Sequence, residues 1–213
     1  MAREQKSQYS VRPQISLTAK IINFILWPLQ KLQLLPFFRP LSLNSIKVAA
    51  CRRTNLDDFG SELGHEKIFV KVFDLMNNYK QTPLGQILSY EFFVHCFETK
   101  LRVEHELSDP TMMQCLQEPI QRPIFVAGMP RTGTTYLHRL LALDPAARAP
   151  LAFELFEPVQ RKKGDLARDQ QNRKSIFQRQ MDIVHMIVPR FAAVHEAHAM
   201  LPEECLCAMV SNI

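Results

Sequence analysis

The sequence predicts an α/β fold in which a helical lead-in runs into a strand, a glycine turn and a helix. Three observations carry that prediction. Residues 124–127, Ile-Phe-Val-Ala, are a short apolar, partly β-branched run of strand type. Tyr136, Leu137, Leu140 and Leu141 then recur at helical spacing, which makes residues 128–134 the turn between the two elements. Upstream, from Leu56 to Leu116, the apolar residues recur at helical spacing and leave no strand signal.

The first element in chain order is a basic arm, residues 1–53. It holds nine Lys and Arg against one acid, Glu4, or +8 of a total of +5, so the rest of the chain is slightly acidic at −3. Residues 20–38 are rich in large apolar side chains, among them Phe24, Trp27, Phe37 and Phe38, but Pro28, Lys31 and Pro36 interrupt them too often for a bilayer span. Three readings stay open: an interfacial helix on an anionic membrane surface, an organellar targeting peptide poor in acids, or an arm packed on its own domain. Nucleic-acid binding is disfavoured, because the apolar residues come in blocks and the basic ones are dispersed.

Within the lead-in, residues 54–118, Ile68, Val72, Leu75 and Met76 form one helical stripe that ends near Asn77 and Asn78. Thr82 caps a second helix with Pro83 at its first position, and Leu84, Ile87, Leu88, Phe92, Cys96 and Leu101 follow on one face to about Leu107. Ser108, Asp109 and Pro110 open a short third helix, and Pro119 and Pro123 frame the passage into the strand. The 46% hydrophobic and 22% charged residues of the 213-residue chain are ordinary for a globular protein. Five scattered cysteines, Cys51, Cys96, Cys115, Cys205 and Cys207, form no C-x-x-C pair. They predict reduced, buried thiols and a cytoplasmic protein.

The turn itself predicts a chemistry. A strand feeding a helix through glycines aims unpaired backbone N–H groups, and the positive end of the helix dipole, at an anion. Gly128, Gly133 and Thr134-Thr135 follow the spacing of the nucleotide loop G-x-x-x-x-G-K-[ST], with Thr134 where that loop has its lysine. A triphosphate enzyme uses the lysine on its phosphates, so the substitution points elsewhere. The cation stands instead at Arg131, inside the loop.

The stretch from Arg122 through Pro130, Arg131, Thr132, Gly133, Thr134 and Thr135 to Pro145 resembles the 5′-phosphosulfate loop of the sulfotransferases, in the group 3 branch. The order of Leu56-Asp-Asp-Phe-Gly60, then Thr82-Pro-Leu-Gly85, then the loop is similar to the helical lead-in of that branch. The resemblance implies a P-loop-like sulfotransferase fold with a parallel sheet, incomplete in this chain. It also implies a donor, 3′-phosphoadenosine 5′-phosphosulfate, held by residues 130–135, and no metal.

Downstream of the phosphosulfate-binding βα unit, residues 123–145, a second short strand is expected at residues 148–153, followed by acceptor-side helices over residues 154–213. Sulfonate transfer needs a base for the acceptor's proton, and Glu154 is similar in position to a glutamate that several sulfotransferase branches place after the second strand. Glu157 lies one helical turn on and competes for the role, while a dipole-stabilised helix residue is the structural alternative for Glu154. Ile176, Phe177, Ile183, Val184, Ile187 and Val188 predict a helix ended by Pro189. His195 and Pro202-Glu-Glu204 match a family pattern that lines the acceptor cleft, with Glu196 replacing the usual proline and His198 added. His195 is the second base candidate. A metal site at His195 and His198 is the weaker alternative, because H-x-x-H ahead of Pro202 fixes no ligand geometry.

The implied mechanism is in-line displacement at sulfur, with the acceptor a small molecule or a carbohydrate bearing a hydroxyl or amine. Arg131, Glu154 and His195 are the implied catalytic groups. The arginine and serine that hold the donor's 3′-phosphate in this family are not found after Glu154, since Arg173-Lys-Ser175 lies in a helical pattern. The chain is therefore expected to be the first part of a sulfotransferase domain. The competing expectations are a nucleotide-dependent kinase or NTPase, and a non-catalytic membrane-associated fragment.

Overall fold

The computed structural model describes residues 15–60, 66–129, 132–161, 164–206 and 208. Ten helical segments carry the described chain. The first, α1 (Leu17–Leu32), starts where the Ser16 hydroxyl accepts from the Ala19 N–H at 3.1 Å, and stops at Gln33 in the left-handed conformation, φ 48°. A short 3-10 turn at Pro36–Phe38 buries Phe38. Then α2 (Leu43–Thr54) is capped by Ser42 and closed by Asn55, φ 56°.

Helix α3 (Glu66–Asn78) packs beside the long α4 (Pro83–Leu107), which begins as its sequence predicts: Thr82 Oγ1 accepts from the Gly85 N–H at 3.2 Å and Pro83 fills the first position. Asp109 caps α5 (Pro110–Leu116) by accepting from the Thr111 N–H at 2.9 Å. The buried faces differ from the expected stripes. In α3, Ile68 and Leu75 are exposed and the rings of Phe69 and Phe73 point inward. In α4, Phe92 is exposed, and residues 93–99 are buried on every side. The reason is that α4 is surrounded: α1, the 3-10 turn and α2 all pack on it, so no single stripe defines its core.

The main core joins Leu41, Ile46 and Ala50 to Phe69, Phe73, Phe93, Phe97 and Leu101. It is largely an aromatic cluster. The Phe73 and Phe93 rings meet edge to face at 4.8 Å between centroids, and Phe59 meets Phe97 the same way at 5.9 Å. Residues 41–50 of the basic arm thus share a core with the lead-in helices. Cys96 is buried in α4, and the loss of water raises its thiol pKa to about 12. Cys51 is half-buried, whereas Cys115 and Cys205 are exposed, contrary to the expected burial. Helix α5 buries no residue, which leaves Cys115 outside.

The second half is assembled from α6 (Thr134–Leu141), α7 (Ala152–Phe156), α8 (Leu166–Ile187) and α9 (Phe191–Val194). A smaller core collects Ala152, Phe153, Phe177, Ala197 and Ala199. It meets α4 through buried polar groups. His95 stacks on Phe156 with centroids 4.4 Å apart, its Nε2 lies 3.1 Å from the Phe156 carbonyl, and its Nδ1 lies 3.7 Å from Glu157. Arg161 binds the Glu157 carboxylate at 2.6 and 2.8 Å, and Arg173 donates to the Glu157 carbonyl at 2.7 Å and to Asp169 at 3.1 Å. Burial opposes the Arg161 charge, but these bonds to Glu157 outweigh it and raise its pKa.

The parallel sheet is not seen: the described residues form no strand, and the only pairing outside helices is an isolated antiparallel bridge between Leu151 and Pro202. Residues 124–127, predicted as a strand, take no regular secondary structure and have no strand beside them among the described residues, and Phe125 is 86% exposed. A parallel strand needs neighbours brought alongside by crossovers. The second expected strand, residues 148–153, does not supply one. It pairs at Leu151 with Pro202 and turns into α7 at Ala152.

Candidate functional site

The turn after residue 127 has the shape its glycines imply. A Cβ on Gly128 would stand 2.8 Å from Thr134 Cγ2 and 3.0 Å from Thr132 Oγ1, so a side chain there would have to displace the threonines of the loop. Gly133 caps α6 with φ 90°, a conformation that side chains disfavour. The first helical bond of α6 runs from the Leu137 N–H to the Gly133 carbonyl at 3.0 Å. The N–H groups of Thr134, Thr135 and Tyr136 therefore precede the helix's own ladder and cluster at the positive end of its dipole. Thr132 Oγ1 donates to the Met129 carbonyl at 2.7 Å, which folds the loop back on itself. Thr134 and Thr135 are half-buried, while Thr132 and Gly133 are open to solvent. Pro130 and Arg131 lie outside the described residues.

Two contacts tie α6 to the segment carrying the other candidates. Arg139 donates to the Glu196 carboxylate at 2.7 Å and to its carbonyl at 2.8 Å, and Thr135 Oγ1 lies 3.5 Å from Glu204 Oε1. Residues 199–203 in turn run beside residues 150–153: the Ala152 N–H donates to the Leu201 carbonyl at 2.9 Å and the Glu203 N–H to the Pro150 carbonyl at 3.2 Å. The chain thus links the loop helix, the start of α7 and the 195–204 segment through neighbouring contacts.

Glu154 sits in the first turn of α7. Its Oε2 accepts from the Leu151 N–H at 2.9 Å and its Oε1 from Arg148 Nη2 at 2.8 Å. Both oxygens keep a second lone pair for a further proton. Glu157, its rival in the sequence, is 2% exposed and engaged with Arg161 and His95. His195 is half-buried, with Nε2 3.0 Å from Oε2 of the buried Glu203. A carboxylate held against one ring nitrogen fixes the tautomer and orientation of the imidazole, the arrangement by which a partner acid primes a histidine base. His198 Nδ1 accepts from the Met200 N–H at 3.3 Å. Among the described residues, no three His, Cys, Asp or Glu side chains cluster with metal-ligand geometry.

Sequence spacing does not reveal the Arg139–Glu196 pair, whose members are 57 residues apart. The signal was there in part, since Glu196 is the departure from the expected histidine-proline pair. The partner of His195 was nearer to hand, because Glu203 belongs to the Pro-Glu-Glu pattern itself.

The sequence model of the sulfotransferase family matches residues 123–213. The match covers 91 of the chain's 213 residues. It begins one residue ahead of the apolar run into the phosphate turn and contains Glu154 and the His195–Glu204 segment. Among solved structures, the crystal structure of sulfotransferase STF1 from Mycobacterium tuberculosis H37Rv is similar, with a TM-score of 0.64 and 23% identity over 81% of this chain. At that identity the likeness speaks for fold alone, and at 81% coverage it extends past the matched segment into the helical lead-in. The chain covers 47% of that structure, about half its length. No curated protein matches the chain.

Proposed function

We propose that this chain carries the donor-phosphate part of a sulfotransferase that moves a sulfonate group from 3′-phosphoadenosine 5′-phosphosulfate to a hydroxyl or amine acceptor. The observation that carries the reading is the turn itself. Gly133 in a left-handed conformation opens a helix whose first three N–H groups are left for an anion, within the segment that the sulfotransferase family model matches.

In this reading the loop of residues 130–135 binds the donor, and the 5′-phosphate rests on the amides of Thr132, Gly133, Thr134 and Thr135 and on the hydroxyls of Thr134 and Thr135. Arg131 engages the sulfonate and its bridging oxygen, where a permanent, forked charge suits two oxygens at once. A lone pair of the acceptor attacks sulfur as the bond from sulfur to the bridging oxygen breaks. The electron pair of that bond leaves with 3′-phosphoadenosine 5′-phosphate, and negative charge growing on the leaving oxygen is offset by Arg131. The acceptor's proton passes to a base. Glu154 and His195 are the two groups for that role, and the Glu203 carboxylate beside His195 supports the histidine. No step calls for a metal.

Calorimetric titration of the full chain with 3′-phosphoadenosine 5′-phosphate, in chelator, tests the donor site. Binding is expected, and loss of binding in Arg131→Ala. No binding by the folded chain, or binding of ATP that requires magnesium, would overturn the reading.

A further inference from the structure

Helix α1 is built the wrong way round for a helix that ends at the protein surface. Its polar residues face the protein. Asn23 Oδ1 accepts from the Leu84 N–H at 2.8 Å, and Gln30 Nε2 donates to the Gln81 carbonyl at 3.1 Å and to Gln86 Oε1 at 2.9 Å. Its large apolar residues face out: Leu17, Ile21, Phe24, Ile25 and Leu32 line one exposed stripe, with Phe24 83% exposed. Leu34 and Leu35, beyond the helix, are exposed as well. A contiguous outward apolar face of this kind marks an interaction surface.

Charge identifies the partner. Between Ile15 and Leu56 the chain has no Asp or Glu. Lys20 and Lys31 flank the stripe, and both, like Arg39 beyond it, are exposed and make no ion pair among the described residues. Trp27 lies on the same edge, with Lys31 Nζ 5.6 Å from its ring centroid. Apolar rings, an interfacial tryptophan and lysines on one side are the set that lies in a headgroup layer. Beside the helix opens a cleft of about 920 Å³, lined by Phe24, Trp27, Lys31, Tyr79 and Lys80 and by no acidic residue. No described helix is long and apolar enough to cross a membrane.

We propose that α1 lies on an anionic phospholipid bilayer, with Phe24, Ile25 and Leu32 entering the acyl boundary and Lys20, Lys31 and Arg39 on the headgroups. The surface is separate from the phosphate turn and does not depend on the function proposed for it.

Trp27 is the chain's one tryptophan, so its emission reports on this edge of α1 without a label. The full chain is titrated with vesicles of phosphatidylcholine alone and of phosphatidylcholine mixed with phosphatidylserine. A blue shift and sedimentation with the mixed vesicles are expected, with far weaker binding to phosphatidylcholine alone. Phe24→Ser should weaken partitioning at least about ten-fold by removing a large inserted ring. Lys20→Gln and Lys31→Gln should each weaken it about five-fold, the equivalent of about 1 kcal/mol per charge at an anionic surface. Both sets replace exposed residues, so circular dichroism and urea unfolding should match the parent chain. Equal binding to both vesicle types, no binding to either, or a concentration-dependent dimer that Phe24→Ser converts to monomer would each overturn the proposal; the last would assign the stripe to a second copy of the chain.

Discussion

In the helical lead-in the aromatic side chains face one another, whereas around the phosphate turn they face water. Phe69, Phe73, Phe93 and Phe97 make a closed cluster, while Phe125 and Tyr136 are both exposed. Both regions are similarly apolar in sequence, so composition does not separate them. What separates them is that α4 supplies a surface on every side, whereas residues 124–127 have no strand beside them among the described residues. The turn keeps its shape regardless, because that shape comes from Gly128, Gly133 and the Thr132 hydroxyl rather than from burial. Stability and anion binding are thus carried by different parts of the molecule.

The sharpest way to break that contrast is to remove one ring from each region. Phe73 is 1% exposed and packs against Phe69 and Phe93. Phe73→Ala should cost about 3–5 kcal/mol, the range for a phenylalanine lost from a packed core. Phe125→Ala should change stability by less than about 0.5 kcal/mol, as for exposed sites in general. Urea unfolding measures both. A cost above about 2 kcal/mol at Phe125 would mean that the strand is buried in solution, and the contrast between the regions would fail.

The same contrast explains what could be read in advance. Caps were legible, because Thr82, Pro83 and Asp109 act within three residues of their own positions. So was the turn, whose residues are contiguous. The inward faces of α3 and α4 were misjudged, since a helix surrounded by partners buries Phe93 and Phe97 as readily as Leu101, and periodicity cannot say which neighbours will arrive. The second strand failed for a related reason. Residues 148–153 had the right composition, but Leu151 pairs with Pro202 and α7 begins at Ala152. Glu157 could be told from Glu154 only by its partners, Arg161 and His95, and His95 lies on a different helix.

A smaller effect is expected where the two halves meet. Glu157 is buried between α4 and α8, and its carboxylate holds Arg161, which remains 23% exposed. Glu157→Gln keeps the shape and removes the charge. Breaking a fully buried pair costs about 3–5 kcal/mol, and water reaching Arg161 should reduce this to about 2 kcal/mol. Glu154→Gln, by contrast, loses an exposed contact to Arg148 and should cost under about 1 kcal/mol. Paired denaturation curves check the difference. If Glu154→Gln were the more damaging of the two, Glu154 would be the structural carboxylate and Glu157 the better base candidate.

The smallest effect tests whether the two regions unfold together. Gly133 holds φ 90°, and a Cβ there would meet nothing within 4 Å, so Gly133→Ala adds backbone strain without a clash. Left-handed backbone costs an ordinary residue about 1 kcal/mol. Helix α6 buries no residue and is held by the exposed Arg139–Glu196 and Thr135–Glu204 contacts, so it should open locally before the core does. Amide exchange from Leu137 onward should then quicken about five-fold, the equivalent of about 1 kcal/mol, while the α4 amides of residues 93–99 keep their protection. Equal acceleration in α4 would show that the turn and the aromatic core share one cooperative unit. The closed and open apolar regions would then be two faces of a single unfolding event.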